Sequence, residues 1–205
     1  MENMKGTTTV GIVCSDGVVF AADKRAVMGY FIANREVEKI FRIDERMAIT
    51  TAGSVGDAQT LVRWLSAEAQ LYKLRTDKYM TPYAATTLIS NILSAYKFFP
   101  FLVQLLIGGL NDSGEGEIYN LDPVGGVTKE KFVSTGSGSP VAFGLLEDAY
   151  KDGVTTKEAA PLALKAVSIA MKRDVGTGDG VDLVIITKEG FKRYADKEIE
   201  KLVKK

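Results

Sequence analysis

Thr7 follows Gly6 near the start of the chain and opens the run Thr7-Thr8-Thr9-Val10. A hydroxyl becomes a nucleophile when a base takes its proton. Cleavage between Gly6 and Thr7 would leave a free amine on the residue that carries the hydroxyl, so nucleophile and base would arrive together. An α-amino group titrates at about 7.7–8.0, close to what a general base needs near neutral pH. The plainer alternative is a terminal run of threonines with high β propensity. Asp23-Lys24-Arg25 and Lys39 are the next candidates. A lysine partly buried near Thr7 would lower the pKa of the neighbouring amine and hydroxyl, and Asp23 could supply the partner that a buried ammonium requires. Taken alone, these residues read equally as surface charge at strand ends.

Three turns could also carry chemistry. Thr51-Ala52-Gly53-Ser54-Val55-Gly56 passes from a strand into a helix, where unpaired backbone N–H groups suit an oxyanion. Ser54 as a simple N-cap explains the same residues. Gly136-Ser137-Gly138-Ser139 has the glycines of a phosphate cradle without the Lys-Ser/Thr of a P-loop, so a nucleotide site is rejected. Arg173 to Gly180 resembles a calcium loop in composition but lacks the spaced ligands and terminal glutamate. Cys14 lies in an apolar strand and reads as a buried, inert thiol.

Composition removes several classes of function. The 205 residues contain no histidine and one cysteine. Ser-His-Asp and Cys-His catalysis within this chain are therefore excluded, as are imidazole zinc sites. No internal disulfide can form, which fits a reducing compartment such as the cytoplasm. Lys plus Arg and Asp plus Glu both number 26, giving zero net charge, so nothing electrostatic favours nucleic acid or an anionic membrane as the main partner. No cofactor or metal is expected. The leader MENMKG is too short and polar for a secretory signal. The most apolar run, Phe98 to Leu110, is interrupted by Pro100 and Gln104 and falls well below the roughly 20 residues of a membrane span.

The elements that must position these residues follow from periodicity. Thr8–Cys14 and Val18–Ala22 flank Asp16-Gly17 and predict a hairpin, with Thr7 opening the first strand. Val27–Ala33 predicts a weaker strand. Ile40–Ile43 and Met47–Thr51 predict a second hairpin. Apolar residues at three- and four-residue spacing predict helices from Val55 to about Lys73 and, after a Thr81-Pro82 start, to Tyr96. Strands return at Leu102–Leu110, Glu117–Leu121 and Lys131–Ser134. Helices follow at Pro140 to about Lys151 and Thr156 to about Arg173, then strands at Val181–Thr187 and Phe191–Tyr194, and a frayed lysine-rich surface helix from Asp196. Strands, two helices, strands, two helices, strands is an α+β order without β-α-β alternation. Two helix pairs with one apolar face each require two sheet faces to cover, so the expected architecture is two stacked antiparallel sheets between helical layers.

Taken together, these segments resemble the archaeal-type β subunits of the 20S proteasome, over essentially the whole chain after the leader. Gly6-Thr7-Thr8-Thr9-Val10-Gly11 resembles that family's processing site, Asp23-Lys24-Arg25 its first-hairpin motif, and Ala52-Gly53-Ser54 its oxyanion turn. Thr135 to Ser139 and Arg173 to Gly180 match two further loops. The spacing from Thr7 to Asp23 equals that from Asp23 to Lys39, as the family requires. The resemblance implies the four-layer αββα sandwich of N-terminal-nucleophile hydrolases. It implies residues 1–6 as a propeptide removed autocatalytically from a zymogen and residues 7–205 as one peptidase domain. Thr7 would be nucleophile and base, Asp23 and Lys39 the charged pair, and Gly53 the oxyanion donor. Ser137, Asp174 and Thr177 would orient amine and water; many relatives have serine at the last place. Ala26, Val37, Thr51 and Val55 would line the substrate pocket and favour neutral, apolar side chains before the cut bond. Val27 would hold substrate as an added strand. Implied partners are α subunits, other β subunits in heptameric stacked rings, an ATP-driven unfoldase and unfolded protein substrates. The alternatives are a structural, unprocessed or low-activity ring subunit, and a small-molecule amidase on the same fold.

Overall fold

The computed structural model describes residues 6–203. The first half is built from β1 (Thr9–Cys14), β2 (Gly17–Asp23), β3 (Ala26–Met28), β4 (Phe31–Asn34), β5 (Ile40–Arg42) and β6 (Met47–Gly53), followed by α1 (Val55–Thr76) and α2 (Pro82–Ala95). The second half contains β7 (Val103–Leu110), β8 (Gly116–Leu121), β9 (Val127–Glu130), β10 (Phe132–Thr135), α3 (Ser139–Ala149), α4 (Thr156–Ala170), β11 (Val181–Thr187), β12 (Gly190–Arg193) and α5 (Asp196–Val203). One sheet has the order β10-β1-β2-β11-β12 and a second has the order β5-β6-β7-β8-β9; β3 and β4 form a separate ribbon. Every pairing is antiparallel.

The strand period of two explains the layers. Along β2, Val19 and Ala21 face the helices of α3 and α4, whereas Val18, Phe20 and Ala22 face the other sheet. β11 repeats this, with Leu183 and Ile185 on the helix side and Val184 and Ile186 between the sheets. In the second sheet, Met47, Ile49, Leu105 and Ile107 meet α1 and α2, whereas Ala48, Leu106 and Ile118 meet the first sheet. Strands buried on both faces read as continuous apolar runs, as these do. The result is the four-layer αββα sandwich expected from the order of elements.

Local chemistry sets the boundaries. Ser54 caps α1 by accepting from the Asp57 N–H, and Thr81 caps α2 by accepting from Ala84. Thr155 and Glu158 form a reciprocal capping box on α4. Several expectations are corrected. Val27–Ala33 is not one strand: Gly29, at φ 63°, turns the chain between β3 and β4. β9 was missed because Val127–Glu130 is a short, polar, largely exposed edge strand. Thr7 and Thr8 precede β1 rather than opening it, α1 runs on to Thr76, and α4 ends at Ala170. The C-terminal helix is not merely frayed, since Ile199 is buried against the first core.

Candidate active site

Thr7 reaches the edge between the two sheets just before β1, and three elements converge on it. Asp23 ends β2 and is fully buried. Its carboxylate oxygens are saturated: Oδ1 accepts from Lys39 Nζ at 2.7 Å and the Thr8 N–H at 2.9 Å, and Oδ2 accepts from the N–H groups of Gly178 at 2.9 Å and Arg25 at 3.1 Å. The Lys39 side chain is 5% exposed. Burial pulls its pKa below the ordinary lysine range, and the Asp23 carboxylate opposes that fall. Removing either partner of such a buried pair typically costs about 3–5 kcal/mol, because the other charge is left uncompensated.

The Gly6–Thr7 peptide bond lies inside this arrangement. The Thr7 hydroxyl donates to the Gly6 carbonyl at 2.5 Å, and Lys39 Nζ donates to the same oxygen at 3.5 Å. On the other side, the Thr7 N–H donates to Ser137 Oγ at 3.2 Å. Ser137 and Thr177 hydroxyls both donate to Asp174 Oδ2, at 2.6 and 2.5 Å. A polar chain therefore links the Thr7 nitrogen to a carboxylate.

The loops that bear these groups owe their shape to backbone chemistry. Gly136 has φ 92°, and a β-carbon there would meet the Thr7 carbonyl at 2.2 Å. Gly53 ends β6 at φ 122° and lines the cavity beside Thr7. That cavity has a volume of about 690 Å³, and Ala26, Val27, Val37, Thr51 and Val55 all line it. A second cavity of about 820 Å³ shares Gly6, Val27 and Gly53 with the first and extends past Ser137, Tyr30 and Pro123. Thus Thr7, Asp23, Lys39, Gly53, Ser137, Asp174, Thr177 and the five pocket residues come together at one place. Of the leader, only Gly6 lies within the described residues.

Some contacts of the site escaped sequence reasoning. Arg25 Nε donates to Asp179 at 2.6 Å and Nη1 to the Val175 carbonyl at 2.9 Å, holding the Asp174–Gly180 loop. Asp179 sits at φ 62°, and Arg35 binds its other oxygen at 2.6 Å. The Thr8 hydroxyl bonds that of Thr177 at 2.8 Å. Phe41 and Gln59 also line the first cavity. Both were accessible to periodicity, since Phe41 is two residues beyond Lys39 along the chain into β5 and Gln59 is one helical turn beyond Val55. Ala26, Val37, Thr51 and Val55 are uncharged, but three charged residues also line the cavity: Arg25, Lys39 and Glu38, the last paired with Arg193 at 2.6 Å. Among the described residues no cluster of His, Cys, Asp and Glu could hold a metal, and no helix is long and apolar enough to cross a membrane.

Comparison with known proteins agrees with this geometry. A family model described as proteasome subunit matches residues 4–186. The chain belongs to the proteasome subunit family. Its similarity runs to proteins named proteasome subunit beta: 54% identity with that of Methanococcus aeolicus, covering 98% of this chain and 93% of the relative. The protein of Methanocaldococcus fervens is 52% identical, over 99% and 91% of the two chains. That of Methanosarcina thermophila is 52% identical, over 96% and 94%. As a proteasome β-type chain, it is part of a proteolytic assembly and combines with other proteasome subunits.

Proposed function

We propose that this chain is a threonine-type endopeptidase whose nucleophile is Thr7, freed when residues 1–6 are cut away. The observation that carries the proposal is the Gly6–Thr7 bond itself. Its carbonyl oxygen is hydrogen-bonded by the Thr7 hydroxyl, Lys39 reaches the same oxygen, and Ser137 and Asp174 fix the Thr7 nitrogen.

In the first cut the Thr7 nitrogen is an amide and cannot act as base. Lys39, whose hold on its proton is weakened by burial, accepts the hydroxyl proton as Oγ adds to the Gly6 carbonyl carbon. The C–N bond then breaks, the proton passes to the leaving nitrogen, and water hydrolyses the resulting ester. In later turnovers the free Thr7 amine, through a water, takes the Oγ proton and returns it to the leaving amine of the substrate. The Lys39 ammonium, held by Asp23, favours the alkoxide, and the Gly53 backbone N–H stabilises the tetrahedral oxyanion. Ser137, Asp174 and Thr177 orient the amine and water. Ala26, Val37, Thr51 and Val55 receive an uncharged, apolar side chain before the cut bond, and Val27 holds the substrate backbone as an added strand.

In this reading residues 7–205 form one peptidase domain. It works in the cytoplasm, without cofactor or metal, in heptameric β rings stacked between α rings, fed with unfolded protein by an ATP-driven unfoldase. The test is hydrolysis of a fluorogenic peptide with an apolar residue before the reporter, using particles assembled with the cognate α subunit. Hydrolysis that disappears in Thr7→Ala supports the proposal. Undiminished hydrolysis in that variant rejects Thr7, and an inactive wild-type particle makes this a structural ring subunit.

A further inference from the structure

The last residue of the leader lies against the loop that carries Asp174 and Thr177. A β-carbon on Gly6 would stand 2.3 Å from both the Cα and the carbonyl oxygen of Gly176. Reciprocally, a β-carbon on Gly176 would stand 2.2 Å from the Cα of Gly6. Gly176 does not have a positive φ, so its backbone conformation is open to alanine. Among the described residues, its need for hydrogen in place of a side chain comes from Gly6 alone: the three atoms nearest to that β-carbon all belong to Gly6, and the third of them is already 3.4 Å away.

We propose that Gly176 is a positioning residue for leader removal, a backbone rest that seats the scissile glycine and sets its carbonyl between the Thr7 hydroxyl and Lys39. The inference rests on the reading that Thr7 cuts its own leader. A methyl group on Gly176 would have to move from 2.2 Å to about 3.4 Å for ordinary contact, parting the two backbones by roughly 1 Å. The Gly6 carbonyl is held at 2.5 Å by Thr7 Oγ1 and at 3.5 Å by Lys39 Nζ, and a misplacement of that size can slow a reaction about 10²-fold. Once residues 1–6 have gone, the obstacle has gone with them. The Gly176 N–H, which donates to Asp174 Oδ1 at 3.3 Å, is retained by alanine, so turnover of other substrates does not require glycine here.

The test separates the two events. Wild type and Gly176→Ala are co-expressed with the cognate α subunit, and loss of residues 1–6 is followed by intact mass. The same substitution is made in a chain released from a cleavable fusion with Thr7 first, and its particles are assayed for peptide hydrolysis. The expected result is leader loss slowed about 10²-fold in Gly176→Ala, with the leaderless variant hydrolysing peptide at close to the leaderless wild-type rate. Leader loss at the wild-type rate in Gly176→Ala overturns the inference. So does a leaderless variant that is itself inactive or unassembled, because Gly176 would then serve turnover or folding. A wild-type chain that keeps its leader while its particle assembles refutes self-cleavage instead, and removes the basis of the inference with it.

Discussion

The proposed chemistry rests on a lysine forced to share a buried space with one carboxylate. Burial lowers the pKa of Lys39 from the ordinary lysine value of 10.5. A lowered lysine pKa means that the proton is lost earlier as pH rises. The neutral amine, the proposed base of the first cut, therefore becomes more abundant with rising pH, whereas the ammonium proposed for turnover becomes scarcer. Leader removal is expected to accelerate as pH rises toward the lowered Lys39 pKa. Peptide hydrolysis by the mature particle is expected to rise through the pKa of the Thr7 amine, lowered by the nearby Lys39 ammonium from the free α-amino value of about 7.7–8.0, and then to fall as Lys39 loses its proton below pH 10.5. Rates of both events across a pH series check this, and parallel alkaline limbs would contradict it. The folded state also binds fewer protons at Lys39 than the unfolded chain between the lowered pKa and 10.5, so this residue makes stability rise with pH in that window. At this scale the sequence was informative about residue types: without histidine, only an amine or a carboxylate could serve as base. It was silent on contacts such as Thr8 with Thr177, because a buried threonine looks like any other strand residue until its partner 169 positions away is placed.

At the scale of elements, the site depends on where strands stop. β6 ends at Gly53 because its backbone turns to φ 122°, and a β-carbon there would lie 2.1 Å from the Leu102 carbonyl. Gly53→Ala must therefore move the proposed oxyanion turn or the start of β7. Its kcat for peptide hydrolysis is expected to fall by about 10²–10³, the usual loss of one oxyanion donor, with KM much less affected; steady-state kinetics on assembled particles check this, and an unchanged kcat would remove Gly53 from the mechanism. The helices were legible because capping residues and apolar stripes coincide, as at Ser54 and Thr81. The β3–β4 ribbon was not, since its seven residues alternate too little to reveal a turn and Gly29 offered the one signal. β9 carried no apolar face at all.

At the scale of the molecule, the two sheets hold each other through a thin, mostly apolar layer, with the Thr50 hydroxyl donating to that of Thr9 across it at 3.2 Å. Phe20 fills its centre: β-carbons on Gly11 and Gly108 would lie 3.1 and 2.7 Å from its ring, so two glycines on two sheets make room for one aromatic. Phe20→Ala is expected to destabilise the chain by about 3–5 kcal/mol, the usual cost of emptying an aromatic site. Chemical unfolding followed by fluorescence and circular dichroism should show one shifted transition in both probes, because the inter-sheet layer joins both halves. Two separate transitions would mean that the sheets fold independently. The layered architecture was legible because continuous apolar strands and one-faced helices leave few other arrangements. The reciprocal fit of Gly6 to Gly176 was not, since it joins positions far apart in sequence through backbone atoms alone.

The central claim is that Thr7 severs the bond before it. It is tested most directly by the intact mass of this chain after co-expression with its cognate α subunit, beside a Thr7→Ala control. Loss of residues 1–6 from the wild type, with full retention in the control, is the expected result. A fully assembled particle whose wild-type chain still carries its leader would contradict it.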